Sequence, residues 1–308
     1  MRDPLVRVGS RGSQLALRQT EQVVAALRRF HPGVEFRVYP VRTEGDRRAR
    51  APLSRIGGQG VFVRELEARL ATGEVDLAVH SLKDVPTELA LGLTLAAVPA
   101  REDPGDALVS RRGLRLAELP AGARVGTGSA RRAVQARALR PDLEYVDIRG
   151  NVDTRLRRVR EGSVDAVILA AAGLARLGRL GEAAEVLDVE TMLPAAGQGA
   201  LAVEARTDDA ELCALVAPLE DRETRAAAEA ERAFLRRLGA GCRLPVGALG
   251  EVGGPTLRLR ALIADGQGER ILREELTGRP EEAEALGTRL AERLLALGAD
   301  EFMAESVR

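Results

Sequence analysis

The sequence predicts an α/β protein of three domains: two doubled α/β domains of like design, then a small α+β domain with a three-stranded antiparallel sheet. Three observations predict it. A short strand runs into a Gly/Ser loop that opens a helix at Val6-Arg7-Val8-Gly9-Ser10-Arg11-Gly12-Ser13, and again at Arg124-Val125-Gly126-Thr127-Gly128-Ser129. A glycine, a valine and an aspartate lead into an apolar run at Gly73-Glu74-Val75-Asp76-Leu77-Ala78-Val79, and again at Gly162-Ser163-Val164-Asp165-Ala166-Val167-Ile168. The last third instead reads as consecutive strands with a helix on either side.

The first helix spans about Gln14 to Phe30, with Leu15, Leu17, Val23, Val24 and Leu27 as its apolar face and His31-Pro32-Gly33 as its stop. Continuous apolar runs such as Val75–Val79 and Val164–Ile168 suit strands covered on both faces, so the sheets are expected to be mainly parallel. A further strand is read at Leu143–Ile148, and a helix opens at Ala130. The chain crosses between the domains near Pro99-Ala100-Arg101 and near Leu193–Gly199, and the strand Ala200–Glu204 returns to the first domain. The domains are therefore expected at 1–99 plus 200–219, 100–199 and 220–308. Thr224 is expected to cap a helix from Arg225 to Leu238. Strands follow at Val246–Val252, Leu257–Ala264 and Arg270–Leu276, with a turn at 266–268, and a last helix over about Glu281–Leu297.

Composition bounds the function. The 308 residues carry 46 bases and 46 acids, for zero formal net charge, which argues against a bulk polyanion partner. Aromatics make up 2% with no Trp, too few for base stacking, so a nucleic-acid-binding protein is disfavoured. Two distant cysteines and two histidines make neither a disulfide framework nor a zinc site, and no metal is expected. Met1–Arg7 has no apolar signal region and no run is long enough to span a membrane, so a cytoplasmic protein without a membrane partner is expected.

The chemistry gathers where such sheets bind ligands, at the strand carboxyl ends. Lys83 is the only lysine among 46 bases, set beside Asp84 in His80-Ser81-Leu82-Lys83-Asp84-Val85-Pro86, after an apolar strand. A compact ammonium is not interchangeable with guanidinium, so the pair reads as a site; the alternative is a remnant in a solvated loop. Gly-Ser/Thr loops at helix N-termini favour anions, and Arg11, Arg131 and Arg132 stand in or just after them. Arg149 and Arg155 follow another strand, and Arg176 a third. Four arginine sets at such positions suggest a guest with several carboxylates. Gly126-Thr127-Gly128 lacks the third glycine of a dinucleotide fingerprint, since position 131 is Arg. Cys213 reads as a core filler. Cys242, in Leu238-Gly239-Ala240-Gly241-Cys242-Arg243-Leu244-Pro245, reads as a nucleophile or covalent tether, with Arg243 favouring thiolate. Thr43–Gly60, rich in Arg and Gly, reads as a long loop able to act as a lid.

Taken in order, these segments, with Arg101-Glu102-Asp103-Pro104, Arg149-Gly150-Asn151-Val152-Asp153-Thr154-Arg155 and Leu193-Pro194-Ala195-Ala196-Gly197-Gln198-Gly199-Ala200, resemble the porphobilinogen deaminase (hydroxymethylbilane synthase) family over nearly the whole chain. The resemblance implies a cytoplasmic, monomeric transferase of tetrapyrrole and haem synthesis, with two domains like those of periplasmic solute-binding proteins. It implies head-to-tail condensation of four porphobilinogen molecules on a dipyrromethane cofactor, loss of ammonia at each step, and hydrolytic release of hydroxymethylbilane. It implies Asp84 as the catalytic acid and Cys242 as the thioether anchor. Lys83, Ser81, Thr127, Ser129, Arg131, Arg132 and Arg155 would bind the cofactor, and Arg11, Ser13, Gln19, Arg149, Arg176 and Gln198 the substrate. The family commonly has Lys where this chain has Arg55 and Gln59, and Ser at Gly128. If residues 83 and 84 are extended, Lys83 and Asp84 point opposite ways. A solute-binding module for a carboxylated ligand is the rival reading, opposed by Cys242 and by the third domain.

Overall fold

The computed structural model describes residues 5–41, 63–239 and 245–305. The chain divides into two compact units, residues 1–102 with 200–225 and residues 103–199 with 226–308. Cys242, Arg55, Gln59 and the Thr43–Gly60 segment lie outside the described residues.

Unit 1 is built on strands β1 (Leu5–Arg11), β2 (Glu35–Val41), β3 (Leu77–Ser81), β4 (Leu93–Ala97) and β10 (Leu201–Arg206), in the order β2-β1-β3-β10-β4. Helices α1 (Gln14–Phe30) and α2 (Arg64–Ala71) cover its two faces. Val6, Val8, Leu77, Val79 and Val203 pack on Val23, Val24 and Leu27 of α1. On the other face, Ala78 and Leu93 pack on Leu66 and Leu70 of α2. This double burial is why the strands read as unbroken apolar runs. Helix α6 (Ala210–Val216) adds Leu212 and Val216 to the α1 side, with Cys213 partly buried there. Burial raises the Cys213 thiol pKa.

Unit 2 repeats the plan with β5 (Asp106–Ser110), β6 (Arg124–Gly126), β7 (Glu144–Val146), β8 (Ala166–Ala170) and β9 (Glu185–Leu187), in the order β7-β6-β8-β5-β9. Helices α3 (Ala130–Leu139), α4 (Val152–Arg160) and α5 (Ala171–Arg176) accompany it. The same unit carries the antiparallel sheet of β11 (Val246–Gly253), β12 (Thr256–Ala264) and β13 (Ile271–Gly278). Leu257, Leu259, Ala261 and Ile263 of β12 face α7 (Arg222–Leu238) and α8 (Ala283–Leu294). Leu262 and Ala264 face the other way, onto Val134 of α3 and Leu193. Period-2 alternation along β12 thus serves two cores at once.

Several expectations need correction. The sheets are mixed: in each, two neighbouring pairs are parallel and two antiparallel, because the first strand after each crossing, β5 or β10, enters against its neighbours. The apolar runs begin later than read, at Leu77 and Ala166, because the preceding aspartates act as clamps. Arg7 N donates to Asp76 Oδ2 at 2.7 Å while Asp76 N donates to Arg7 O at 2.8 Å. Arg124 N and Asp165 make the same exchange, at 2.8 Å both ways. The Leu143–Ile148 strand keeps only Glu144–Val146. Thr224 is not the cap of α7: its N–H donates to Asp221 Oδ1 at 2.8 Å, and its hydroxyl accepts from Arg101 N at 3.0 Å. The last helix runs from Ala283 to Leu294 and is broken by Gly298, whose φ of 93° no helix admits, before α9 (Asp300–Glu305).

Asp76→Ala should lower unfolding stability by about 1–3 kcal/mol, since it strands a strand N–H in the core. Asp165→Ala should cost less, because Asp76 also holds the Arg7 guanidinium at 2.9 Å whereas Asp165 accepts only the Arg124 N–H. Urea titration of both variants checks the order.

Candidate functional site

In unit 1 the groups converge from three segments. The loop after β1 is held by Gly12 N donating to Val41 O at 3.1 Å, and Ser13 caps α1 by accepting from Ala16 N at 3.3 Å. One turn further along α1, Gln19 donates from Nε2 to Ser81 Oγ at 2.8 Å, so Ser13, Gln19 and the end of β3 are brought together. After Ser81 the chain does not stay extended. Leu82–Asp84 form a single 3-10 turn, closed by Val85 N on Leu82 O at 3.1 Å. Leu82 is buried and pins that turn, leaving Lys83 exposed and Asp84 half-buried. The premise for opposed Lys83 and Asp84 side chains therefore fails. Arg11 Nη1 stands 3.9 Å from Asp84 Oδ2. Arg11, Ser13, Gln19, His80, Ser81, Lys83 and Asp84 line one cavity of about 100 Å³.

In unit 2 the second Gly/Ser loop follows β6. Thr127 N donates to Val146 O at 2.9 Å, Thr127 Oγ1 accepts from Ser129 N at 3.2 Å, and Ser129 caps α3 by accepting from Arg132 N at 3.4 Å. Gly128 has a reason for lacking a side chain here: a Cβ would stand 2.8 Å from Ile148 O.

Arg131 and Arg132 enter the core instead of solvent, and both close on Asp106. Arg131 Nη1 is 2.8 Å from Asp106 Oδ2 and donates to Leu193 O at 2.6 Å. Arg132 donates from Nε to Asp106 Oδ1 at 2.9 Å, from Nη1 to Ile168 O at 3.2 Å and from Nη2 to Gln198 Oε1 at 3.3 Å. Gln198, itself buried, donates to Pro104 O at 2.7 Å and Asp106 Oδ1 at 2.8 Å. Burial opposes the Asp106 charge, but the two guanidinium groups outweigh it and hold the carboxyl well below its ordinary range. Burial also lowers the Arg131 pKa, with Asp106 offsetting part of that shift.

The remaining arginines are placed separately. Arg149 lies 3.1 Å from Asp147. Arg155 donates to Gly150 O at 2.9 Å, and Arg176 to Gly199 O at 2.6 Å. The Arg155 guanidinium pKa is pushed down to about 10, first by burial and then by the charges of Arg132 and Arg149.

Asp106 was not singled out from the sequence. Its only signal is an aspartate opening the apolar run Ala107-Leu108-Val109, as Asp76 and Asp165 open theirs. Glu231 was missed as well: buried on α7, it accepts from Gly197 N and from Gly250 N at 2.8 Å, and so joins the 193–199 segment to β11.

Guanidinium, hydroxyl and carboxyl groups thus gather after the strands of two mixed α/β sheets, the place where the ligand-binding class of such folds takes its guests. Comparison with known proteins makes the class specific. The chain belongs to the porphobilinogen deaminase family: residues 6–214 match its "dipyromethane cofactor binding domain" and residues 225–296 its "C-terminal domain". It is an enzyme, a transferase of tetrapyrrole synthesis. It is 50% identical to the porphobilinogen deaminase of Pelotomaculum thermopropionicum over 97% of this chain and 96% of that one. Identity to the protein of that name from Acidothermus cellulolyticus is 52%, over 97% and 91%. With that of Syntrophobacter fumaroxidans it is 46%, over the full length of both. Among solved structures, the periplasmic aliphatic sulphonate binding protein SsuA of Escherichia coli is similar at 15% identity and a TM-score of 0.41, over 76% of this chain and 70% of that one. Among the described residues no helix is long and apolar enough to cross a membrane.

Asp106→Asn should destabilise unit 2 by about 3–5 kcal/mol, because it leaves two buried guanidinium groups short of a counter-charge. The low folded pKa of Asp106 means that its stabilisation is present at neutral pH and fades as pH falls below about 4, the unfolded value. That part of the acid loss should be missing in the variant, as read by denaturant titration across pH. Gly128→Ser should lower the thermal midpoint without emptying the Arg131–Asp106–Arg132 network, as differential scanning calorimetry and a crystal structure would report.

Proposed function

We propose that this chain joins four porphobilinogen molecules head to tail onto a covalently held dipyrromethane primer, releasing ammonia at each addition, and then frees hydroxymethylbilane by hydrolysis. The observation that supports this most is the positive field around Arg155. Arg132 and Arg149 press on a guanidinium already penalised by burial, and Asp147 offsets only part of that pressure. A guest bearing carboxylates would relieve that repulsion, and each pyrrole unit brings an acetate and a propionate. The residues present therefore fit the primer. Cys242 would anchor it by thioether, and Lys83, Ser81, Thr127, Ser129 and Arg155 would hold its acidic arms. Arg131 and Arg132 are committed to Asp106, so their share is the field they set and the donors left over. Arg11, Ser13, Gln19, Arg149 and Arg176 would receive the incoming substrate, and Gln198, buried and bonded to Arg132, Pro104 and Asp106, would serve it by holding that network in place. When bound, the primer supplies the free pyrrole carbon on which growth begins.

Asp84 carries the chemistry in this reading. In its protonated form it gives a proton to the amine that leaves porphobilinogen. As carboxylate it stabilises the positive charge left on the substrate's methylene-pyrrole. Once the new carbon–carbon bond has formed, it takes the proton shed by the ring carbon, which restores it for the next unit. Arg11, 3.9 Å from Asp84, keeps a cation beside the carboxylate that exists within each addition, between proton transfer to the amine and proton return from the ring carbon. The reading includes a monomeric, cytoplasmic enzyme without a nucleic-acid partner. It also includes a three-domain division at 1–99 plus 200–219, 100–199 and 220–308.

Intact-mass spectrometry of the purified chain tests the proposal. A dipyrrole adduct is expected on the wild type and on Cys213→Ala, and none on Cys242→Ala. Asp84→Asn should keep the adduct and the fold but lose turnover by at least about a thousandfold, the scale of removing both a general acid–base and a charge stabiliser. A bare chain that consumes no porphobilinogen would overturn the function. Turnover by Asp84→Asn at the wild-type rate would overturn the role of Asp84.

A further inference from the structure

The face of the unit 1 sheet under α2 buries three ionisable side chains. His80 on β3 pairs with Ala202 of β10, and Glu204 on β10 pairs with Ala78, so the two side chains share a face and stand diagonal to one another. His80 Nε2 lies 3.1 Å from Glu204 Oε2, with both side chains at 2% exposure or less. The pair is close but poorly aligned: among the described residues neither oxygen of Glu204, nor His80 Nε2, has a hydrogen-bond partner. Glu67 of α2 completes the group. Its carboxyl pKa is raised by burial and by Glu204, against the pull of the Ala90 N–H, His80 and Arg64. Burying carboxylates with so little compensation is costly, and a well-packed apolar set in their place is commonly at least as stable.

The molecule contains its own control. The repeated Gly-x-Val-Asp signature aligns β3 with β8 residue for residue, and α2 with α4. β10 aligns with β5, because Leu201 faces Ser81 as Asp106 faces Ala170. Under that alignment His80 corresponds to Leu169, Glu204 to Val109 and Glu67 to Leu156. All three of these are buried in one apolar cluster. The same face of the same architecture thus closes with aliphatic side chains in unit 2, and the fold does not call for the charges in unit 1. What separates the two units is the sequel to the strand. β8 runs into α5, whereas β3 runs into the Leu82–Asp84 turn. His80, unlike Glu204 and Glu67, also lines the cavity shared by Arg11, Ser81, Lys83 and Asp84.

We infer that His80, with the Glu204 carboxylate 3.1 Å behind it and Glu67 coupled to both by charge, is a positioning residue for Asp84. Its imidazole forms a polar base to the cavity and holds the strand end from which the Asp84 turn departs. The inference rests on the role proposed for Asp84. Its test replaces the trio by unit 2's own solution, Glu67→Leu with His80→Leu and Glu204→Val. The triple variant should fold, with a urea midpoint at or above that of the wild type. Its kcat per adduct-bearing molecule should fall at least tenfold, with KM for porphobilinogen within twofold. An uncharged polar set, Glu67→Gln with His80→Gln and Glu204→Gln, should give the same split and serves if the apolar set does not fold. Wild-type kcat in either folded variant, a change confined to KM, or failure of both sets to fold would overturn the inference. Asp84→Asn run in parallel separates the two failures. If it is inactive while the triple variant is not, this inference alone falls; if it is active, the reading of Asp84 falls with it.

Discussion

Asp106 is the point on which unit 2 closes. Its carboxylate, fully buried, is the first residue of β5 and receives both guanidinium groups of α3's first turn. Through Arg131 the same pair reaches Leu193, and through Arg132 it reaches Gln198, so the 193–198 segment is fixed by the same charges. Gln135 adds a bond to each side of Leu193, accepting from its N–H and donating to its carbonyl. Glu231 then carries the order on to β11. A buried charge is tolerable only when its partners are in place. Loop, helix and small sheet therefore hold together as one cooperative set, and Thr127, Ser129 and Arg155 are displayed from a rigid frame.

Much of this architecture was legible because the signals were local. The strand–loop–helix grammar located α1 and α3, the apolar runs located β3 and β8, and consecutive strand patterns with a turn at 266–268 located the small sheet. Boundaries moved where a side chain did unexpected work. Asp76 and Asp165 bond the neighbouring strand, and Asp221 displaced Thr224 as a cap. The mixed sheet order was not legible, since strand direction after a crossing depends on pairings distant in sequence, such as Asp106 with Ala170 and Leu201 with Ser81. Of the candidate site, Arg11, Lys83 and Asp84 stood out by residue type and position, whereas Ser13, Gln19 and Ser81 came from the family resemblance; the structure places all six around one cavity. The partners of the arginines were not legible, because Asp106 meets Arg132 across 26 positions and its one local mark, an aspartate opening an apolar run, is shared with Asp76 and Asp165.

The two units also illustrate how a duplicated plan diverges. Glycines recur where a strand is closely approached: a Cβ at Gly9 would meet Leu66 of α2, and one at Gly126 would meet Ile148 in the segment after β7. The aspartate clamps recur as well. The divergence is concentrated at strand ends and on one sheet face, where unit 1 holds carboxylates and an imidazole and unit 2 holds leucine and valine. Backbone requirements are thus shared, and chemistry is written onto positions the backbone leaves open.

The place of β10 between β3 and β4 has a consequence for how the chain is made. During synthesis, residues 201–206 emerge from the ribosome only after the whole of 103–199. Until then β3 and β4 each present an unpaired edge, open to unwanted pairing. The five-stranded sheet of unit 2 draws on residues 106–187 alone and needs nothing that comes later. Translation therefore supplies every strand of the second sheet while the first still waits for the strand that joins β3 to β4, so the order of assembly runs opposite to the order of the chain.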